Sequence, residues 1–398
     1  LNAFFSLELV KPKFKLGKNQ ESFNKYEMFI GKDTDNNDLH LNARNFEGLT
    51  LITGMKGMGK SHLSKTLLEE MIDKKLPIIV FDLNGEYIGL ENENIEVYYP
   101  GERLNKIPDG AKEFWFNYDY LGLSVMSNVM TSIQQLTGKS IKVFHTMWHE
   151  LKTELGVINE KYSSIEEYEK ITKNYLLDKA YSMTGENQKV MDAITSRIRT
   201  LNQSLYLKDE KYPTRLEEII KPGKASIIVL NHLPHTQRKM LVAMILTKLK
   251  ELLSKNKLSP MWIFAEEAHN YNEKSSWEDL VTRMRHFGIN IVFITNQPDS
   301  LEEGNIFRQL DNIFLFGFKN DRDLEMISKI SDIDSRTAKL VKNIEQGTCL
   351  AIGKSVYSRP IIIKVRKINS NAMGATRSAF PELVDESLLE KSTVEIMN

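Results

Sequence analysis

The sequence predicts an α/β fold with a mainly parallel sheet, an inserted helical subdomain and a small N-terminal β unit, on three observations. From Gly48 onward, short β-branched or aromatic runs alternate with longer helical patterns, as parallel strands covered by helices do. Between Leu121 and Leu207 that alternation gives way to long amphipathic stretches with few prolines or glycines. Before Gly48, short alternating segments flank a turn-like cluster.

In chain order, residues 1–47 show alternation at Phe14 and Leu16 and again at Met28 and Ile30, with the turn formers Asp33, Asp35, Asn36 and Asn37 following, and read as the small β unit. Residues 48–367 read as the core, with strands expected at 49–53, 77–81, 225–230, 261–265, 289–295, 312–316 and 348–352, the lengths buried parallel strands have. Helical stretches at 121–136 and 141–155 open the insertion, about 121–207. Met126 with Met130, and Met240 with Met244, stand at helical spacing and read as core filler. Residues 368–398 turn polar and lose periodicity, which predicts an extended tail that orders only by docking.

Composition narrows the function classes. The 398 residues carry 53 Lys+Arg against 53 Asp+Glu and are 41% hydrophobic. That apolar content excludes global disorder. Zero net charge removes the bulk basic field of a protein that coats nucleic acid, so any nucleic-acid contact has to come from a local patch. The single cysteine, Cys349, excludes an intrachain disulfide framework and a Cys-rich zinc site, and suits a reducing compartment, read as the cytoplasm. No apolar run reaches the ~18 to 20 residues of a bilayer span, the longest being 240–246, so no membrane partner is expected. The first residue is Leu1 rather than Met, which leaves the start of the protein open upstream.

The sharpest signal is Gly54-Met55-Lys56-Gly57-Met58-Gly59-Lys60-Ser61, which fits G-x-x-x-x-G-K-[ST] at every fixed position. An apolar strand runs into it and a helical pattern (Leu63, Leu67, Leu68, Met71) runs out, so the loop opens a helix N-terminus whose free N–H groups face phosphate. In this reading Gly54 through His62 bind nucleotide, Lys60 neutralises the β and γ phosphates, and the Ser61 hydroxyl holds Mg²⁺.

A phosphate loop that hydrolyses ATP also needs a strand-end carboxylate for Mg²⁺ and a group that orients or deprotonates water. The expected strand 261–265 followed by Glu266-Glu267-Ala268-His269-Asn270 supplies both. Glu266 is the metal candidate and Glu267 the general-base candidate. The bland alternative is a pair of glutamates capping a solvated loop.

With these residues in place, the chain resembles the HerA-like branch of the HerA and FtsK superfamily, hexameric P-loop motors that translocate DNA. Phe81-Asp82-Leu83-Asn84-Gly85-Glu86-Tyr87 is similar to the family's Asp-Pro-His-Gly-Glu-Tyr segment, departing at Leu83 and Asn84. Glu266 through Asn270 is similar to its acidic strand end, Arg285-His286-Phe287-Gly288 to its Arg-Lys-aromatic-Gly turn, and Asn296-Gln297-Pro298 to its Gln-Arg-Pro. The segments 317–323, 347–353 and 360–365 are similar to its closing strands, so the similarity covers roughly 30–365, helical insertion included. The family usually has a larger N-terminal β-barrel, of which the residues before Gly48 would supply a reduced or truncated counterpart.

The resemblance implies a RecA-like P-loop ATPase that uses ATP and Mg²⁺, forms a homohexamer around DNA in a central channel, and works with a nuclease or other effector in DNA end processing or antiviral defence. It places Asn296 at the polar sensor position and Arg285 as the finger that reaches a neighbour's γ-phosphate, with Arg283 and Arg308 as alternatives. For each arginine a surface or ion-pair role stands beside the catalytic one. Lys274, beside Ser275, Ser276 and Trp277, is a candidate DNA contact whose alternative is a solvated loop lysine; Arg238 and Lys239 read as a solvated face. His232 and His235 lack a cysteine or close carboxylate to complete a metal set. The rival function is a nucleotide-dependent assembly scaffold for a defence effector, with little translocation.

Overall fold

The computed structural model describes residues 25–90, 92–103, 107–156, 171–183, 185–271, 286–299, 306–318 and 335–368. Twelve strands among them are β1 (Glu27–Lys32), β2 (Asp38–Asn42), β3 (Leu49–Thr53), β4 (Ile78–Asp82), β5 (Ile95–Pro100), β6 (Lys112–Phe114), β7 (Ala225–Val229), β8 (Met261–Glu266), β9 (Ile289–Thr295), β10 (Asn312–Leu315), β11 (Thr348–Gly353) and β12 (Ile361–Val365). The helices are α1 (Lys60–Asp73), α2 (Tyr118–Asn128), α3 (Lys139–Glu154), α4 (Lys173–Ser182), α5 (Gln188–Asn202), α6 (Leu216–Ile219), α7 (His235–Ser254) and α8 (Ser335–Lys342).

All twelve strands form one sheet in the order β2-β1-β12-β11-β10-β3-β9-β8-β4-β7-β5-β6. From β10 to β6 every pairing is parallel. From β10 outward through β11, β12, β1 and β2 every pairing is antiparallel. The seven strands expected from periodicity are present, each end within one residue. β5 and β6 were not expected, because Glu96 interrupts the run of the first and the second is only three residues long. β1 hydrogen-bonds β12 at Gly31 and Val365, so the N-terminal strands extend the sheet edge. Phe14, Leu16 and the tail after Ile368 lie outside the described residues.

Side chains alternate across the strands and build two large cores and a smaller third one of Ile313, Leu315, Phe318, Val341 and Leu350. On one face Ile52, Ile78, Val80, Phe264, Val292 and Ile294 pack with Leu63, Leu67, Leu68 and Met71 of α1. On the other, Leu51, Ile79, Phe81, Ile263, Ile291 and Phe293 meet α7 and the helical insertion, with Phe144, Met147, Trp148, Ile194 and Ile198 fully buried. Met126, Met130, Met240 and Met244 lie in this second core. The stretch 121–136 is less regular than its pattern suggests: Gly122 sits at φ +74° and a π turn at Val129–Ile133 ends it. His232 Nε2 bonds Pro100 O at 2.5 Å, and Arg238 donates to Leu233 O at 2.8 Å. Among the described residues no helix is long and apolar enough to cross a membrane.

Candidate active site

β3 lies inside the parallel run, so its carboxyl end opens between the ends of β10 and β9, where α/β sheets bind ligands. The loop leaving it passes so close to the neighbouring strand that a Cβ on Gly54 would stand 2.5 Å from Phe316 Cβ. Only glycine fits there. Gly59, at φ +115°, then turns the chain into α1. Three bonds brace the loop from outside: Met55 N–H to Gly317 O at 3.0 Å, Gly347 N–H to Met58 O at 2.9 Å, and Gln346 Nε2 to Gly57 O at 2.8 Å. Lys60 opens α1 and its ammonium donates back to Met55 O at 2.9 Å, spanning the loop. Burial lowers the Lys60 pKa, against the opposing pull of Glu267, Glu86 and Glu266.

Two carboxyls stand behind this loop on adjacent strands. Asp82, fully buried at the end of β4, accepts N–H bonds from Gly85 (2.8 Å), Glu86 (3.0 Å) and Tyr87 (3.0 Å) and so folds the turn that brings Asn84 and Glu86 to the site. Glu266 ends β8, 1% exposed, and takes an N–H from Asn84 at 3.2 Å on Oε2. Its Oε1 is buried without a donor. Burial, then the Asp82 charge, pushes the Glu266 carboxyl well above the ordinary range. Burial raises Asp82 as well, against the three N–H bonds that lower it. A surface cap for this glutamate pair is excluded by that burial.

Glu267 sits beyond the strand end at φ +47°, a left-handed conformation rare for glutamate. Its N–H bonds Ile294 O at 2.6 Å, which pins the strained residue to β9. Its Oε2 lies 3.4 Å from each of Thr295 Oγ1, Asn296 N and His269 Nδ1. Asn296 Oδ1 is buried and bonded to no donor.

Lys60, Glu86, Glu266, Glu267, His269 and Asn296 face one cavity of about 850 Å³. Of the expected site residues, Lys56, Gly57, Gly59, Lys60, Ser61 and His62 line it together with Glu266, Glu267 and Asn296, whereas Gly54, Met55 and Met58 shape and brace the loop. Ser61 and Glu266 present oxygen donors to the same space, and the buried, donor-free Oε1 of Glu266 suits a hard cation such as Mg²⁺. Arg285, Arg283, Lys274, Ser275, Ser276 and Trp277 lie outside the described residues. Arg308 is exposed in the turn before β10, at the opposite end of the sheet from the loop. Sequence reasoning gave no role to Asp82, His269, Gln346 or Ile368. The first two stand in quoted motifs; the last two reach the cavity through the antiparallel return of β11 and β12 and carry no local signal.

A RecA-like sheet with this loop and these carboxylates defines a P-loop ATPase. Residues 29–249, more than half the chain, match the family described as helicase HerA, central domain. The chain belongs to that family. It is 23% identical over 364 residues to the DNA double-strand break repair helicase HerA of Sulfolobus acidocaldarius, covering 84% of this chain and 67% of that protein. The HerA helicase of Sulfurisphaera tokodaii is likewise 23% identical over 363 residues, 86% of this chain and 69% of its own. In fold it is similar to VirB4 of Thermoanaerobacter pseudethanolicus (TM-score 0.64, 13% identity, 86% of this chain and 97% of that one). The plasmid coupling protein TrwB with ADP and Mg²⁺ is also similar (TM-score 0.56, 14% identity, 83% and 88%).

Proposed function

We propose that this ATPase uses ATP and Mg²⁺ to drive DNA through a closed ring of its own subunits, six by family resemblance, together with a nuclease or other effector that processes DNA ends or serves antiviral defence. The observation that carries this reading is the convergence of the Lys60 loop, Glu266 and Glu267 on one cavity. Relatives named as DNA double-strand break repair helicases support the DNA substrate.

In this reading Lys60 leaves Met55 O for the β and γ phosphates, and the N-terminus of α1 adds its N–H groups. Ser61 and Glu266 hold Mg²⁺, which when bound neutralises charge on the β and γ oxygens. Glu267 accepts the proton of the attacking water as the bond from the γ-phosphorus to the ADP oxygen breaks. The Asn296 amide holds that water through its unpartnered Oδ1, which accepts, or the γ-phosphate through its NH₂ group, which donates. Arg285 of a neighbouring subunit completes the site.

Turnover measured with and without DNA tests the reading. A motor accelerates on DNA; slow, DNA-indifferent hydrolysis would favour the scaffold instead. Mixing Arg285→Ala with Lys60→Ala subunits tests the finger, because a mixed interface pairs an intact pocket with an intact arginine. Such fingers contribute about 10³- to 10⁵-fold in rate. Recovered activity supports a finger in trans, and no recovery in proven mixed rings rejects it.

A further inference from the structure

Glu267 has a strained backbone and stands at the wall of the cavity, so something has to fix which of its oxygens meets the water. Among the described residues its side-chain contacts all fall on Oε2, from Thr295 Oγ1, Asn296 N and His269 Nδ1, each at 3.4 Å. None reaches Oε1. Two of the three partners are side chains with no part in holding phosphate or metal, and they belong to one chain of hydrogen bonds whose direction follows link by link. This inference rests on the general-base reading of Glu267 above.

The chain starts in the single turn Ala268–Asn270. The Asn270 amide lies 3.3 Å from Glu267 O, and a carbonyl only accepts, so the atom facing it is the NH₂ nitrogen Nδ2. That same nitrogen lies 2.9 Å from His269 Nε2. An amide nitrogen only donates, so Nε2 accepts and the ring carries its proton on Nδ1. Nδ1 stands 3.2 Å from Thr295 Oγ1. Thr295 Oγ1 also accepts the Gln297 N–H at 3.0 Å, which together with His269 uses both of its lone pairs. The one proton of that hydroxyl is then left for Glu267 Oε2. Thr295 is fully buried at the end of β9, so water does not compete for it. At 3.4 Å the last link is longer than an ordinary hydroxyl bond, and it steers the carboxylate without clamping it.

We propose that His269 and Thr295 are positioning residues for the Glu267 general base, with Asn270 setting the histidine tautomer: the relay holds Oε2 from behind and presents Oε1 to the attacking water. The water proton passes to Oε1 as the bond from the γ-phosphorus to the ADP oxygen breaks, and the relay itself exchanges no proton, since each of its donors already faces an acceptor. Both residues act through Glu267 and neither touches the reacting atoms.

Steady-state ATP turnover and equilibrium MgATP binding of the full chain, in the wild-type and Glu267→Gln backgrounds, test it. Thr295→Val keeps the branched shape of the side chain and removes the hydroxyl; His269→Ala removes the donor behind it. Each is expected to lower kcat about 10- to 100-fold, the scale of a misplaced catalytic group, while the Kd for MgATP stays within about twofold. Thr295→Ser is expected to return kcat to near the wild-type value. The double variant falls no further than the worse single one, because both losses pass through one carboxylate, and neither substitution lowers the residual turnover of Glu267→Gln. Wild-type kcat in either single variant, losses that multiply in the double variant or persist in the Glu267→Gln background, or a Kd that weakens in step with kcat overturns the relay and leaves Glu267 as the base. Normal turnover in Glu267→Gln overturns the base reading and the relay with it.

Discussion

The nucleotide end of the sheet and the helical layer on one of its faces solve burial in opposite ways. At the ends of β3, β4 and β8 the buried groups include Lys60, Asp82 and Glu266, and Glu266 keeps an oxygen that no donor reaches. In the helical layer the buried groups are Phe144, Met147, Trp148, Ile194 and Ile198, and the charges sit outside in pairs such as Lys179 with Glu150 (2.9 Å) and Glu154 (2.6 Å). A buried, incompletely partnered charge costs stability. It persists where a ligand completes it, and the apolar layer supplies the packing that tolerates it. The polar end binds; the apolar layer holds the fold.

Substitutions at the two ends should therefore fail in different measurements. The largest effect is expected at the loop: Lys60→Ala abolishes nucleotide binding or turnover, because phosphate charge loses its nearest cation. Tight MgATP binding with normal turnover would remove the loop from the site. Glu267→Gln keeps the shape of the side chain but cannot take a proton, so ATP binding survives while turnover falls about 10²- to 10⁴-fold. If Glu266→Gln alone blocks chemistry and Glu267→Gln does not, the two glutamates exchange roles.

Trp148→Ala probes the other end. Trp148 is 2% exposed and packs against Phe144 and Tyr118 at ring separations of 6.0 Å and 6.4 Å. Its removal is expected to cost about 3–5 kcal/mol in denaturant unfolding. ATP affinity below the unfolding midpoint should stay at the wild-type value. A specific loss of ATP affinity without a shift of the midpoint would break the division of labour.

How much of this was legible follows from distance along the chain. The phosphate loop and the Glu266-Glu267 pair are contiguous, so their spacing alone marks them. Strands β3, β8 and β9 show because both faces are buried and their runs are mostly apolar or β-branched. Asp82 did not stand out as a site residue, since aspartate is usually exposed and only the fold reveals that it is buried and takes three N–H bonds. His62 and Arg366 are 304 positions apart, and no local pattern announces a contact made where β12 returns to the loop.

The smallest expected effect concerns Glu96 on β5, which is the foil to Glu266 on the same sheet. Burial alone would raise the Glu96 carboxyl, yet bonds from Lys224 (2.6 Å), Tyr98 (2.5 Å) and Lys112 (3.0 Å) outweigh it and hold the group at about 2, below its ordinary 4.5. Its folded-state value is depressed, so its contribution to stability is complete above the ordinary value and is lost as pH falls from 4.5 toward 2. The cluster lies at a half-exposed edge where solvent screens it, which limits the contribution to less than about 1 kcal/mol. Unfolding free energy measured between neutral and acid pH should therefore fall more steeply in the wild type than in Glu96→Gln, with the gap closing in high salt. Glu266 has the opposite sign, raised by burial and by Asp82, so Glu266→Gln should remove a cost and leave stability at neutral pH equal or higher. Parallel pH profiles for wild type and Glu96→Gln, or a neutral-pH loss in Glu266→Gln, would show that the two ends handle charge alike and would undo the contrast.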